Sequence, residues 1–317
     1  MADVIYHGSG RFTVEEGFES ECDGEVVEMR FSGLNPLDAR LLRGAMDRGI
    51  EVPFVPGIEG SGYWEGNPVI VSGSGVGTSR HGTMRRRAFV PRLAIHPIPD
   101  WLDLRVASVL GSAGVTAWCL VRTEAAIDDS DVVLVLGASG GVGSLAVQLA
   151  LASGAEVWGQ TGDAEKAPMI DGLGATPLVA DSPEAIASRR DLKPTVVLDG
   201  LGGGFTGASL RLLAPGGRIH VFGASAGAEA TVDVLRLYRT YATIRGYASM
   251  TETPGQVHSA LVGLLDALQV GSLIVLIDRV VPLERLEDAL AALEGRQVRG
   301  KLVLEIGVDE GHSAHAL

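Results

Sequence analysis

An apolar run, Val132-Val133-Leu134-Val135-Leu136, leads straight into Gly137-Ala138-Ser139-Gly140-Gly141-Val142-Gly143, and a helix-like stretch, Ser144 to Ala152, follows at once. The apolar run has the length of a buried strand. Gly137 permits a tight turn, Gly140 and Gly141 let backbone approach a pyrophosphate, and Gly143 lets the helix pack on the strand. The start of that helix offers unpaired N–H groups and a positive dipole end to phosphate. Gly154-Ala155-Glu156-Val157-Trp158-Gly159-Gln160 supplies the next strand. The loop therefore opens a βαβ unit and reads as a dinucleotide-binding turn, against the plainer reading of a glycine-rich packing turn.

The rest of the chain is organised around that unit. Thr195–Leu198 and Arg218–Phe222 read as further short buried strands, with helices between, so a parallel sheet covered on both faces is expected. Before residue 110 the pattern is β-rich, with turn-dense stretches at Pro53–Gly62 and Ser72–Gly77 and a helix expected over Leu104–Leu120. After the parallel sheet come a helix at Gln256–Val270, a strand at Leu273–Val281, a helix at Leu283–Leu293 and a last strand at Lys301–Ile306. The tail Asp309–Leu317 is polar and expected to fray. A length of 317 residues suits two domains and a core that needs no staple.

Charge and cysteine content exclude several classes. The net charge of −13 opposes a nucleic-acid partner. The two cysteines, Cys22 and Cys119, form no CxxC pair and point to a reducing, cytoplasmic compartment. Val132 to Ala155 carries no charge, yet glycines break its middle, so strand–turn–helix is expected and no membrane span. No signal peptide is expected at Met1-Ala2-Asp3-Val4, because no basic start leads into an apolar run.

The end of the second strand bears on which dinucleotide fits. An NAD site places an acid there for the ribose hydroxyls. This chain has Gln160-Thr161-Gly162, with Asp163 past the strand end. Without the acid, a 2′-phosphate meets no repulsion, and Lys166 reaches it as a point charge; the bland alternative is a solvated helix-face lysine. Only three of the 26 basic residues are lysines, which favours the first reading and hence NADPH.

Seven elements in order carry a resemblance: Gly33-Leu34-Asn35-Pro36-Leu37-Asp38, Pro56–Gly62, Gly114–Ala117, Gly137–Gly143, Leu198-Asp199, Leu213–Arg218 and Arg299–Leu304. Together they resemble the zinc-free quinone oxidoreductase branch of the medium-chain dehydrogenase/reductase superfamily over nearly the whole chain. The resemblance implies an α/β fold. A GroES-like, partly open β-barrel catalytic domain would hold 1–112 and 248–317, a Rossmann domain 113–247, and the active site would lie in the cleft between. It implies a homodimer joined through the Rossmann sheets, with an edge strand near Thr243-Ile244-Arg245. It places Asn35 and Asp38 near the nicotinamide and the substrate, against a simple Asn-Pro turn with an Asp cap. Thr116 would bond the nicotinamide amide, against a helix hydroxyl bonding its own backbone. Ser139, Gly140, Gly141, Val142, Gly143, Thr161, Lys166, Phe222, Gly223 and Lys301 are expected to bind the cofactor.

Zinc-dependent relatives carry Cys where Asn35 stands and His where Ile58 stands, so no metal site is expected. The reaction implied is hydride transfer from NADPH to a quinone or an α,β-unsaturated carbonyl, a small-molecule substrate. Alternatives are an enoyl-thioester reductase and an NADPH-binding protein without catalysis. Several departures bear on these. Met46 stands about where relatives have a tyrosine, so the proton donor is left open, with water as one source. The hairpin after Gly62 is trimmed. Arg85-Arg86-Arg87 reads either as a phosphate grip for a coenzyme A arm or as a strand with solvated charges. Ser72–Gly77 and Gly111–Ala117 are similar to the acryloyl-CoA reductase subgroup.

Overall fold

A computed structural model of the chain describes residues 2–18, 24–45 and 50–307. Cys22, Met46 and the tail from 309 lie outside the described residues. The chain divides into two compact units, Met1–Ser112 with Glu252–Leu261 and Ile277–Leu317, and Ala113–Thr251 with Val262–Leu276.

The first unit contains a hairpin, β1 (Asp3–Gly8) and β2 (Arg11–Glu15), and strands β3 (Glu25–Leu34), β4 (Glu59–Trp64), β5 (Asn67–Ser72), β6 (Arg87–Val90) and β7 (Ile95–Pro97). The second holds β8 (Val132–Leu136), β9 (Glu156–Thr161), β10 (Thr176–Val179), β11 (Val196–Asp199), β12 (Arg218–Val221) and β13 (Thr243–Gly246). The chain then gives the first unit β14 (Ile277–Pro282) and β15 (Lys301–Glu305).

In the first unit the sheet runs β14-β15-β3-β4-β5-β7, with β6 also on β3. The ten-residue β3 serves three partners: its start pairs with β6 (Glu25↔Val90), its middle with β4 and its end with β15 (Leu34↔Leu302). Alternate residues of these strands, among them Val27, Met29, Val69, Val71, Leu302 and Leu304, turn inward to one apolar core. Leu286, Ala289 and Leu290 of the helix Leu286–Glu294 join that core. Tyr6 fastens the hairpin to it through a two-way backbone bridge with Phe54 at 2.7 and 2.9 Å. The β4–β5 hairpin turns in two residues, Glu65 and Gly66, with φ of +50° and +82°. Positive φ at both central positions matches the twist of the flanking strands, which explains how so short a loop closes.

The second unit has six parallel strands in the order β10-β9-β8-β11-β12-β13. All four residues of β11 are buried, as are four of the five of β8, as strands covered on both faces must be. The order reverses between β8 and β11: the chain leaves β8 toward β9 and β10, then crosses back to β11. That reversal opens a crevice at the carboxyl ends of these two strands. The other end of the sheet is tied by Asp131, whose carboxylate accepts from Arg218 at 2.7 and 3.2 Å and from the Thr195 hydroxyl at 2.6 Å.

The α/β class and the pairing of a Rossmann-type parallel sheet with a mixed sheet are as expected. The structure draws some boundaries differently. The helix after the glycine loop begins at Gly141, because glycines tolerate its first turn. Residues 273–276 have no regular structure, and the strand starts at Ile277. Residues 262–276 group with the second unit, whereas the sequence reading assigned them to the first. The reason is local packing: Gln148 bonds both the N–H and the carbonyl of Ile274, at 2.8 and 3.0 Å. Gly263 also lies so close to the Trp118 ring that a Cβ would come within 2.2 Å of it.

Asp131→Ala leaves the Arg218 guanidinium and the Thr195 hydroxyl without their shared acceptor. We expect a loss of about 2–3 kcal/mol, seen as a lower urea midpoint with an unchanged m-value.

Candidate active site

The glycine loop is built as a phosphate cradle. Gly137 adopts φ +75°, and the N–H of Gly140 closes a turn onto the Gly137 carbonyl at 3.0 Å. A Cβ on Gly143 would sit 2.3 Å from that same carbonyl, so only glycine lets the helix Gly141–Leu151 start there. Gly140 caps the helix without a side chain, and the N–H groups of the first turn are left uncapped. A Cβ on Gly140 would meet only the Gly137 carbonyl, at 3.4 Å, and Ser139 to Val142 are half-buried. Uncapped helix N–H groups beside a glycine turn with open space suit the pyrophosphate of a dinucleotide.

One buried side chain holds this cradle, and a second shapes the loop beside it. The Gln160 side chain accepts the Gly137 N–H at 2.9 Å and donates to the Ala180 carbonyl at 2.6 Å. Its own carbonyl takes the Ala138 N–H. Asp199, at the end of β11, accepts the N–H groups of Leu201 and Gly202, both at 2.9 Å, and the Thr206 hydroxyl at 2.6 Å. It thus shapes the neighbouring loop. Phe222 and Gly223 follow β12, with the Phe222 N–H on the Asp199 carbonyl. The loops after β8, β11 and β12 therefore gather at the carboxyl ends of the parallel strands.

Thr161 is buried, and its hydroxyl accepts the Asp163 N–H at 3.2 Å. Lys166 sits in the short turn Ala164–Lys166 beyond β9 and is only 6% exposed, so it is not a solvated helix-face lysine. Thr116 does not bond its own helix backbone; its hydroxyl donates to Ser249 Oγ at 2.9 Å.

In the first unit, Asn35, Asp38 and Lys301 come together around a residue the sequence reading did not single out, Glu59. Its carboxylate is fully buried. Glu59 Oε1 accepts from Lys301 Nζ at 2.9 Å and from Asn35 Nδ2 at 2.8 Å, and Oε2 accepts the Ser112 N–H at 2.7 Å. Lys301 also donates to Asn35 Oδ1 at 2.7 Å and to the Leu34 carbonyl at 3.0 Å, so its three N–H donors are all engaged within this unit. Gly33 is required beside the pair: a Cβ there would lie 2.8 Å from Glu59 Oε1. The signal that would have found Glu59 is its place in Pro56–Gly62, a turn-rich stretch where an acid has no ordinary use. Asn35 and Asp38 form a capping box at the start of the helix Pro36–Leu42, with the Asn35 N–H on Asp38 Oδ2 at 2.9 Å.

The polar groups gathered here are an amide, two carboxylates and an ammonium. Among the described residues no group of three or more His, Cys, Asp and Glu is placed to hold a metal ion. The positive charge among Asn35 and Glu59 is the Lys301 ammonium. The arginine triplet also falls apart as a grip. Arg85 is buried, stacked near Phe18 and Phe89 and donating to the Phe18 carbonyl at 2.8 Å. Arg86 and Arg87 are exposed, and Arg87 lies opposite Glu28 in the β3–β6 register.

Burial pushes the Asp38 carboxyl up to about 7 from 3.8, while its bond to the Asn35 backbone and the Lys301 charge pull the other way. Its Oδ1 is buried without a hydrogen-bond partner. The folded chain thus holds this proton more tightly than the unfolded chain, so the contribution of Asp38 to stability is fully present at low pH and is lost as pH rises through the window from about 4 to about 7. The Asp38→Asn variant, which keeps an acceptor for the Asn35 N–H, should lose this component. Urea titrations at several pH values check it: the wild type should gain a falling component of up to about 1.4 kcal/mol per pH unit that the variant lacks.

The sequence profile of the zinc-binding dehydrogenase family matches residues 141–266. The putative quinone oxidoreductase YhfP of Bacillus subtilis is 28% identical over 302 residues, covering 90% of this chain and 91% of its own. The crystal structure of that protein with NAD bound has a TM-score of 0.79 at 26% identity, over 96% of this chain and 99% of its own. The acrylyl-CoA reductase AcuI of Ruegeria pomeroyi is 31% identical over 231 residues, covering 67% of this chain and 69% of its own. The yhdH oxidoreductase of Salmonella enterica, solved in complex with NADP, has a TM-score of 0.80 at 25% identity, over 96% of this chain and 99% of its own. These likenesses, together with the glycine loop and the strand order around it, show that the chain belongs to the medium-chain dehydrogenase/reductase superfamily, in its quinone oxidoreductase-like branch.

Proposed function

We propose that this protein is a zinc-independent, NADPH-dependent reductase of quinones or α,β-unsaturated carbonyls. The observation that carries the cofactor half is the uncapped start of the helix Gly141–Leu151 beside the open Gly137–Gly140 turn. NADPH, when bound, supplies a hydride. Ser139 to Gly143 hold the pyrophosphate, and Phe222 and Gly223 border it from the loop after β12. Thr161 stands where an acid would repel a 2′-phosphate, and Lys166 provides the charge that attracts one. Thr116, with Ser249, orients the nicotinamide amide. An NAD-bound and an NADP-bound relative bracket the choice, and the missing acid favours NADPH.

On the substrate side, hydride reaches the electron-poor β-carbon, and the enolate that forms takes a proton from water. The buried cluster of Asn35, Asp38, Glu59 and Lys301 gives the catalytic unit a fixed polar frame. Zinc chemistry is left out of this reading because Ile58 and Asn35 do not provide its donors. A second substrate class, an enoyl thioester, is favoured by the likeness to the Ruegeria acrylyl-CoA reductase, although the arginine triplet supports it only through the exposed Arg86 and Arg87.

We also propose a homodimer through β13. This strand ends the parallel sheet, and Val234, Leu235, Tyr238 and Tyr241 beside it are exposed. Thr243 and Tyr247 direct their N–H groups to the β12 side, so the intervening Ile244 N–H points outward.

NADPH absorbance followed against a panel of quinones, enones and enoyl-CoA esters tests the reaction. Turnover of a quinone or an enone supports it, and tight NADPH binding with no turnover of any acceptor overturns it. Lys166→Ala should weaken NADPH about tenfold or more, roughly 1.4 kcal/mol, and leave NADH nearly unchanged in a fluorescence titration. Equal weakening of both removes Lys166 from the site. Ile244→Pro should convert the dimer to monomer in sedimentation without loss of helix content; a wild-type monomer refutes the dimer.

A further inference from the structure

The Asn35 carboxamide has a single orientation that its neighbours permit. The Lys301 ammonium is donor-only, so it must face Oδ1; the Gly33 carbonyl is acceptor-only, so it must face Nδ2. In that orientation Nδ2 gives one N–H to the Gly33 carbonyl at 3.1 Å and the other to Glu59 Oε1 at 2.8 Å. Both donors are used. Oδ1 takes the Lys301 ammonium at 2.7 Å and faces the capped start of the helix Pro36–Leu42. A flipped amide would set its N–H groups against Lys301 and its oxygen against the Glu59 carboxylate and the Gly33 carbonyl. Glu59 is itself pinned from its other oxygen by the Ser112 N–H.

We infer that Glu59 and Lys301 are positioning residues that lock the Asn35 carboxamide with both its donors spent inside the protein, so that Asn35 gives no hydrogen bond to the oxygen of a bound acceptor. Any bonding of Asn35 to a bound molecule runs through Oδ1. The consequence is chemical: charge developing on the carbonyl oxygen of an acceptor must be met by another donor, water included. Only the turnover arm of the test rests on the reductase reading above.

The first arm needs no substrate. In the full-length protein labelled with ¹⁵N-asparagine, both Asn35 side-chain protons should be protected from exchange with solvent. One proton exchanging at the rate of a free amide overturns the lock. The second arm removes the locking groups. Glu59→Gln sets an N–H where Lys301 or Ser112 needs an acceptor, and Lys301→Met removes the donor that faces Oδ1. In each variant the Asn35 side-chain protons should exchange about tenfold or more faster than in the wild type. In the reductase assay kcat should fall about tenfold or more, with KM for NADPH nearly unchanged. Exchange as slow as in the wild type in both variants, or an unchanged kcat in both, overturns the positioning role. If the wild type reduces no acceptor, the reductase reading falls, and the exchange measurement still decides the lock.

Discussion

A carboxylate removed from water must be paired, and the buried Glu59 sets that demand on the first unit. The pairing cation is Lys301, at 2.9 Å, drawn from a strand that the chain reaches only near its end. The contact explains why the first unit is discontinuous. Strand β15 must return to lie against β3 so that its lysine meets an acid on β4, and Leu34↔Leu302 fixes the register that aligns them. Gly33 leaves room for the pair, Asn35 bridges its two members, and Ser112 caps the remaining oxygen. Losing either charge strands the other in a dry interior. The pair thus organises four separate stretches of sequence around one point.

The second unit solves a different problem, the support of loop backbone. A loop that is to hold phosphate must keep its N–H groups outward and therefore needs support from behind. Gln160 provides it from the end of the neighbouring β9, and Asp199 ties the loop that follows its own strand β11. The consequence is rigidity where a ligand's charge arrives, with few side chains in the way.

Much of this was legible in the sequence because glycine and apolar runs have local causes. The Val132–Gly143 stretch and the alternation of strands and helices follow from nearest-neighbour pattern, whereas the edge position of Thr243–Arg245 was expected only through the family resemblance. The buried polar frame was legible only in part. Asn35 and Asp38 were marked by their motif. Glu59 lay in a motif that was recognised as a whole, but its partner is 242 residues away, and no local periodicity reports such a pair. Lys301 was expected at the cofactor; its ammonium instead faces three oxygens of its own unit. The arginine triplet misled for a related reason: Arg85, just before strand β6, found aromatic faces inside, while Arg86 and Arg87 stayed exposed. Segment 262–276 could not be assigned from its own pattern, since Gln148 and Trp118, which hold it, lie far upstream.

The account stands on delivery of hydride to carbon. The most direct measurement uses NADPH deuterated at the transferring C4 position, an α,β-unsaturated ketone and mass spectrometry of the product with NMR assignment of the label. The account predicts one deuterium at the β-carbon for each NADPH consumed, with the α-carbon proton coming from water. NADPH consumed without deuterium in the product, or deuterium at any other carbon, would contradict it.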